Sequence, residues 1–211
     1  MARKSAASSA LQRVDRPTSI VEATIASLID SGCAGTTTRR VAERSGLSQG
    51  AVQHYFPTRV ALLEAAVRRI ADQTAQAAIQ RAAGFGGSGR QRVCALIDTA
   101  WDLAHTPPVI AAVELVAAAR TDTELTGAMA QLVEYAHAAV LLVARAVVGE
   151  TADLHGSFDW LRVTLLTIYG ATLASSVAAT SVLVPDWAII RSHLIASFDT
   201  WASQNQPLAS P

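Results

Sequence analysis

The chain has 211 residues, 51% of them hydrophobic and only 16% charged, with a formal net charge of zero. That composition excludes a disordered polar chain and supplies enough apolar surface for one large domain or two modest ones. The neutral total hides a division: residues 1–70 hold ten Lys/Arg against five Asp/Glu, or +5, and the remainder holds seven against twelve, or −5.

A basic N-terminal module on an acidic body is the distribution expected of a head that binds a polyanion. Cys33 and Cys94 lie far apart and form no ligand or redox spacing, so they read as small buried hydrophobes in a reducing cytoplasm, with no metal and no cofactor expected. Residues 1–15 are Ala/Ser/Arg-rich without periodicity and read as a flexible basic arm; they lack the apolar run of a secretory signal.

A first helix is predicted from near Pro17, with Ile20, Val21, Thr24, Ile25, Leu28 and Ile29 at helical spacing. The stretch Thr36–Arg59 then predicts two short helices with a tight break. Thr36 and Thr37 offer hydroxyls to cap a helix over Thr38–Ser45, and Gly46 stands where a left-handed C-terminal residue is wanted. Ser48 caps a second helix, about Gln49–Tyr55, which Phe56-Pro57 ends. Val41, Ala42, Leu47, Val52 and Phe56 would pin the pair together and leave Arg39, Arg40, Gln49, Gln53, His54 and Tyr55 outside. A helix-turn-helix with that outer face is suited to the major groove of double-stranded DNA.

Thr37, Thr38, Arg40 and Arg59, at helix starts or on the flank, are placed to touch phosphates. Arg39, Gln49, Gln53 and His54 carry groups that pair with base edges. Gly50 would let the backbone approach the groove closely, and Tyr55 and Thr58 complete the surface.

A fourth helix is predicted from Thr58 to about Ala83, with Leu62, Leu63, Ala66, Val67 and Ile70 inward, linking this head to the C-terminal part of the chain. The glycines of AAGFGGSGR break it. Further helices are predicted over about Arg90–His105, Val109–Arg120, Thr123–Val148 (capped by Thr121-Asp122), Phe158–Val182 and Asp186–Ser203. No strand alternation appears, so the fold class is all-α with about nine helices. The expected division is an arm over 1–15, a helix-turn-helix domain over 16–62, a second helical domain over 63–205, and a disordered tail over 206–211. Val163–Pro185 is free of charge and long enough to cross a bilayer, but its seven Ser/Thr fit a helix buried among protein helices, and no membrane partner is expected.

The order of residues adds a resemblance. Ile20-Val21-x-Ala23, Ser31-Gly32-Cys33-x-x-Thr36-Thr37, Val41-Ala42-x-x-Ser45-Gly46-Leu47-Ser48-x-Gly50 and Phe56-Pro57-Thr58-Arg59-x-x-Leu62-Leu63 fall in register. Together they resemble the N-terminal signature of the TetR (tetracycline-repressor) family over about residues 17–67. The resemblance implies a homodimeric transcriptional repressor that binds a palindromic operator and is released by a small molecule. Three positions depart from the family: Gln53, where Tyr is commonest, Arg59, where Lys is usual, and, more mildly, Val60, where an acid is common.

The C-terminal part carries no HExxH, no GxSxG and no paired carboxylates on an apolar face, so no catalytic residues are expected. It does set polar and aromatic groups into apolar helices: Trp101 and His105 one turn apart, Glu114 as the only charge in VIAAVELVAAA, then Tyr135 and Tyr169. These are the groups an effector pocket needs, for a mostly apolar ligand that is neutral or cationic, with Glu114 as counter-charge. Trp187, Ile190, Leu194, Phe198 and Trp201 form one stripe, and Leu165, Ile168, Ala171 and Ala174 lie on a helix apolar nearly all round. Packing these against a second copy resembles the family's four-helix dimer interface. The residues alone leave open a helical small-molecule-binding protein or enzyme without DNA binding.

Overall fold

Three hydrophobic clusters organise the described residues, and three helices thread between them. The computed structural model describes residues 2–149 and 156–205, the side chains of 2–15 excepted, so the expected arm side chains and the tail over 206–211 lie outside the described residues. Among the described residues ten helices run in order: α1 (Ala2–Gly35), α2 (Thr38–Ser45), α3 (Gln49–Tyr55), α4 (Arg59–Ala82), α5 (Gly89–Ala104), α6 (Pro107–Ala118), α7 (Thr123–Val148), α8 (Ser157–Ser176), α9 (Ala178–Ser181) and α10 (Trp187–Asn205). Helix α1 begins well before the expected start, and Pro17 lies inside it.

The first cluster joins Ile20 and Ala23 of α1, Val41 and Ala42 of α2, Val52 of α3 and Leu62 of α4. The second joins the other face of α1, through Ile25 and Leu28, to Leu63–Ile70 of α4, to α6 through Val109, Ala111 and Leu115, and to α7 through Leu125, Met129 and Leu132. Helix α1 is thus buried on two sides, as the helical spacing of Ile20 with Ala23 and of Ile25 with Leu28 requires. The third cluster joins the end of α4 (Ala78) to α5, the second half of α7, α8 and α10. Helix α4 contributes to all three, and the change of partner from the first to the second falls between Leu62 and Leu63.

Charged pairs fasten the third cluster from outside. Arg191 grips Asp98 through two bonds of 2.6 and 2.9 Å, and Arg90 grips Asp199 through two of 2.7 Å, tying α10 to α5 at both ends. The Arg90 guanidinium holds the Asp199 carboxyl below its ordinary value.

The expected single helix over Phe158–Val182 is two. Helix α8 stops at Ser176, Val177 is extended, and α9 adds one turn. The freed carbonyls of this Ser/Thr-rich run are taken by hydroxyls: Ser176 donates to Leu173 O at 2.8 Å, and Thr180 donates to Ala174 O at 2.7 Å. Val163–Pro185 is therefore no continuous span. Among the described residues the one helix long and apolar enough to cross a membrane is α7. It packs on α4 and α5 and buries Leu125, Met129, Leu132, Val143, Ala144, Val147 and Val148.

Candidate nucleic-acid interface

Every turn of the N-terminal unit is held by a specific cap. The Thr37 hydroxyl accepts from Arg40 N at 3.2 Å, Ser48 from Ala51 N at 3.2 Å, and Thr58 from Ala61 N at 3.0 Å, so α2, α3 and α4 each begin on a side-chain acceptor. Thr36, expected to share the capping of α2, is instead buried. Its hydroxyl donates to Gly32 O at 2.8 Å, bracing the kink where Gly32 takes φ 63°. Gly46 adopts φ 69°, ψ 21°, and Leu47 N donates back to Ala42 O at 3.1 Å, which closes α2 and turns the chain into α3. Leu47, Tyr55 and Phe56 pack on the cluster inside the turn.

The outer face is polar and open. Thr37, Arg39, Arg40, Gln49, Gly50, Gln53, His54 and Thr58 are exposed, and Thr38 is half-buried. Arg39 pairs with Glu43 one turn along at 2.9 Å, a bond that raises its pKa. A Cβ added to Gly50 would meet nothing within 4 Å, so internal packing places no demand for glycine there.

Two residues depart from their expected orientation. Tyr55 lays its ring on the core and offers an edge to His54, with centroids 5.2 Å apart. Arg59 turns inward: Nε donates to Thr36 O at 2.9 Å, Nη2 to Cys33 O at 2.5 Å, and Nη1 lies 3.8 Å from Asp122 Oδ2. The guanidinium faces the protein and not the outer surface. Sequence reasoning missed these partners because a backbone carbonyl and a residue 63 positions away leave no local signature.

The five residues expected to line a pocket do not form one wall. Trp101 is sandwiched, with His105 on one side at 4.1 Å and Trp187 stacked on the other at 4.3 Å, while His105 Nδ1 lies 2.8 Å from Trp101 O. Tyr135 is turned to the surface between α4 and α7, where its hydroxyl donates to Asp72 and its ring faces Arg68. The bond to Asp72 raises its pKa. It is a strut, not a pocket residue. Tyr169 packs against both the second and third clusters, its pKa raised by burial, and Glu114 is half-buried on α6, which packs on α8. On α8, Thr164, 2% exposed, keeps a buried hydroxyl without a hydrogen-bond partner, unlike Thr172, which donates to Ile168 O at 2.9 Å.

An apolar groove opens elsewhere, where α5, α7, α8 and α10 meet, lined by rings of Phe158, Trp160, Phe198 and Trp201. None of the five expected pocket residues lines it. Among the described residues, no group of three or more His/Cys/Asp/Glu could hold a metal ion.

The expected dimer stripe is also corrected. Ile168, Ile190, Leu194 and Phe198 are buried in the subunit's own third cluster, and Trp187 and Trp201 pack against it. Leu165, Ala171 and Ala174 are half-buried. Apolar residues left outside lie on the opposite face: Val163 (61% exposed), Leu166 (68%) and Gly170 on α8, and Ile189 (51%) on α10. Their 3-4 spacing was available in the sequence, masked by a helix apolar nearly all round.

Likeness to known proteins divides along the same line. Residues 20–66 match the family model described as bacterial regulatory proteins, tetR family. The HTH-type transcriptional regulator BetI 1 of Chromohalobacter salexigens is 36% identical over 83 residues, which is 39% of this chain and 41% of that one. The chain therefore matches less than half the length of that curated relative. Solved structures extend the likeness of fold. A chain from Mesorhizobium loti assigned to the TetR-family transcriptional regulators superposes with a TM-score of 0.65 at 14% identity, covering 90% of this chain and 96% of that one. The multidrug binding protein EbrR complexed with imidazole gives 0.57 at 22% identity, covering 85% and 92%.

Proposed function

The chain is a TetR-family protein by its N-terminal domain and its fold, and from that premise we propose that it is a homodimeric, effector-responsive repressor that binds a palindromic operator. The observation that carries the reading is the rigid, capped pair α2–α3, which leaves Gln49, Gln53 and His54 in solvent around Gly50. In this reading α3 enters the major groove, its glutamines pair with base edges, and Gly50 lets the groove wall come close. Thr37, Thr38, Arg40 and Thr58, at the starts of α2 and α4, position the unit on phosphates; Arg59 is withdrawn from that set.

The second copy docks on the outward face of α8 and α10, centred on Leu166 and Ile189, because that face holds the large apolar residues the subunit leaves uncovered there. The effector lies at the seam between the second and third clusters that Tyr169 bridges, with Glu114 of α6, the helix packed on α8, as its charged contact. Those groups in apolar surroundings suit a mostly apolar molecule with one polar or cationic end. That EbrR, of the same fold, was solved with a small organic molecule supports the same class.

The test is selection from a random duplex pool. Enriched sequences should be palindromic, with half-site centres one or two helical turns apart, the turn being about 34–36 Å. A pool without enrichment would contradict the reading.

A further inference from the structure

Arg59 opens α4, and each of its three guanidinium nitrogens faces a different part of the protein. Nε takes Thr36 O at 2.9 Å, just ahead of α2, and Nη2 takes Cys33 O at 2.5 Å, in the last turn of α1 beyond the Gly32 kink. Nη1 faces Asp122 Oδ2 at 3.8 Å. Asp122 is the N-cap of α7, and its two oxygens divide their tasks. Oδ1 accepts from Glu124 N at 3.1 Å and Leu125 N at 3.3 Å, which leaves Oδ2 for Arg59. The α6–α7 turn that carries Asp122 is itself tied down, since the Thr126 hydroxyl donates to Ala119 O at 2.8 Å.

We infer that Arg59 and Asp122 form a clasp through which the effector domain sets the orientation of the DNA reader. Arg59 is a positioning residue for DNA binding and makes no phosphate contact. The inference rests on the proposed DNA-binding function. Its geometry suits a guanidinium: three separate nitrogens each face one partner, whereas the three N–H donors of a lysine radiate from a single nitrogen and cannot match that planar spread. A displacement of the α6–α7 turn moves Oδ2 and biases the guanidinium. The carbonyls it holds lie where α1 ends and α2 begins, so the reader moves with them.

The experiment compares the full chain with Asp122→Asn, Arg59→Gln and the double variant. Asn keeps the cap oxygen and removes the charge, so α7 stays capped. The probe is a random-sequence duplex long enough for two half-sites, titrated over a range of salt. Asp122→Asn should weaken binding by about 1.5- to 5-fold, the worth of a half-exposed ion pair, and Arg59→Gln by at least as much because it also releases two carbonyls, with the salt slope unchanged in both and the double variant no worse than Arg59→Gln. In Asp122→Asn, amide exchange should rise across residues 33–40, far from the substitution in sequence. Three results would overturn the clasp: a slope lowered by about 0.9 per phosphate contact in Arg59→Gln alone, additive losses, or exchange changes confined to residues 120–126. The exchange readout needs no DNA. If the wild-type chain bound no duplex, the function would fail while the exchange still decided whether the clasp exists.

Discussion

In the N-terminal unit, Gln49 and Gln53 stand in solvent on a helix whose cap and core leave them nothing to do internally, and His54 beside them meets only the Tyr55 ring. In the C-terminal part, most conspicuous polar groups are already occupied: Arg191 with Asp98, Arg90 with Asp199, Tyr135 with Asp72, and Trp160 Nε1 with Ser197 Oγ at 3.0 Å. The same residue types therefore mean different things in the two regions. A polar side chain on a short, closed unit is available for recognition, whereas one between long helices more often holds those helices together.

The largest expected effect breaks the comparison at the interface between copies. Leu166→Asp places a charge on the exposed face of α8, and sedimentation should show monomers. Loss of the second half-site should drop operator affinity toward the non-specific level, by about 10³-fold or more. An intact dimer would move the interface elsewhere. Next is Phe198→Ala, which empties part of the subunit's own third cluster and should lower unfolding free energy by about 3–5 kcal/mol in denaturant titration. Were Phe198 the dimer contact read from the stripe alone, the loss would depend on protein concentration instead.

Within the reader, Gln53→Ala should change preference at one base pair by about 1–3 kcal/mol, read by comparing operator variants. An equal loss on all sequences would make Gln53 a backbone contact. Gly46→Ala forces a Cβ into the left-handed region and should cost about 1–2 kcal/mol of stability, with α2–α3 opening first in hydrogen exchange. The smallest effect concerns Tyr169. Burial raises its folded pKa above the ordinary value of 10, so stability is fully present below about pH 10 and falls as pH rises through the folded pKa. Tyr169→Phe should change stability little at neutral pH and flatten that alkaline decline; an unchanged decline would assign it to other groups.

The same contrast explains which features the residues alone made legible. The bounds of α2 and α3 were readable because caps, Gly46 and the apolar positions act within a few residues of one another. The inward turn of Arg59 was not, since its partners are two carbonyls and the cap of a distant helix. The stripe Ile190–Leu194–Phe198 was correctly seen as one face, but periodicity cannot say which surface covers it, and here it is the subunit's own α5 and α8. Tyr135 looked like pocket lining because Asp72, 63 positions earlier, gives no local sign of reaching it. The break after Ser176 was written in the Ser/Thr run and was outweighed by its uninterrupted apolar character.

The central claim, that the exposed face of α2 and α3 grips DNA as part of a dimer, is tested most directly by the salt dependence of duplex binding. A dimer making about 6–10 phosphate contacts should lose about 10³–10⁵ in affinity between 50 and 200 mM salt, with log K linear in log salt. An affinity that hardly changes over that range would contradict the account.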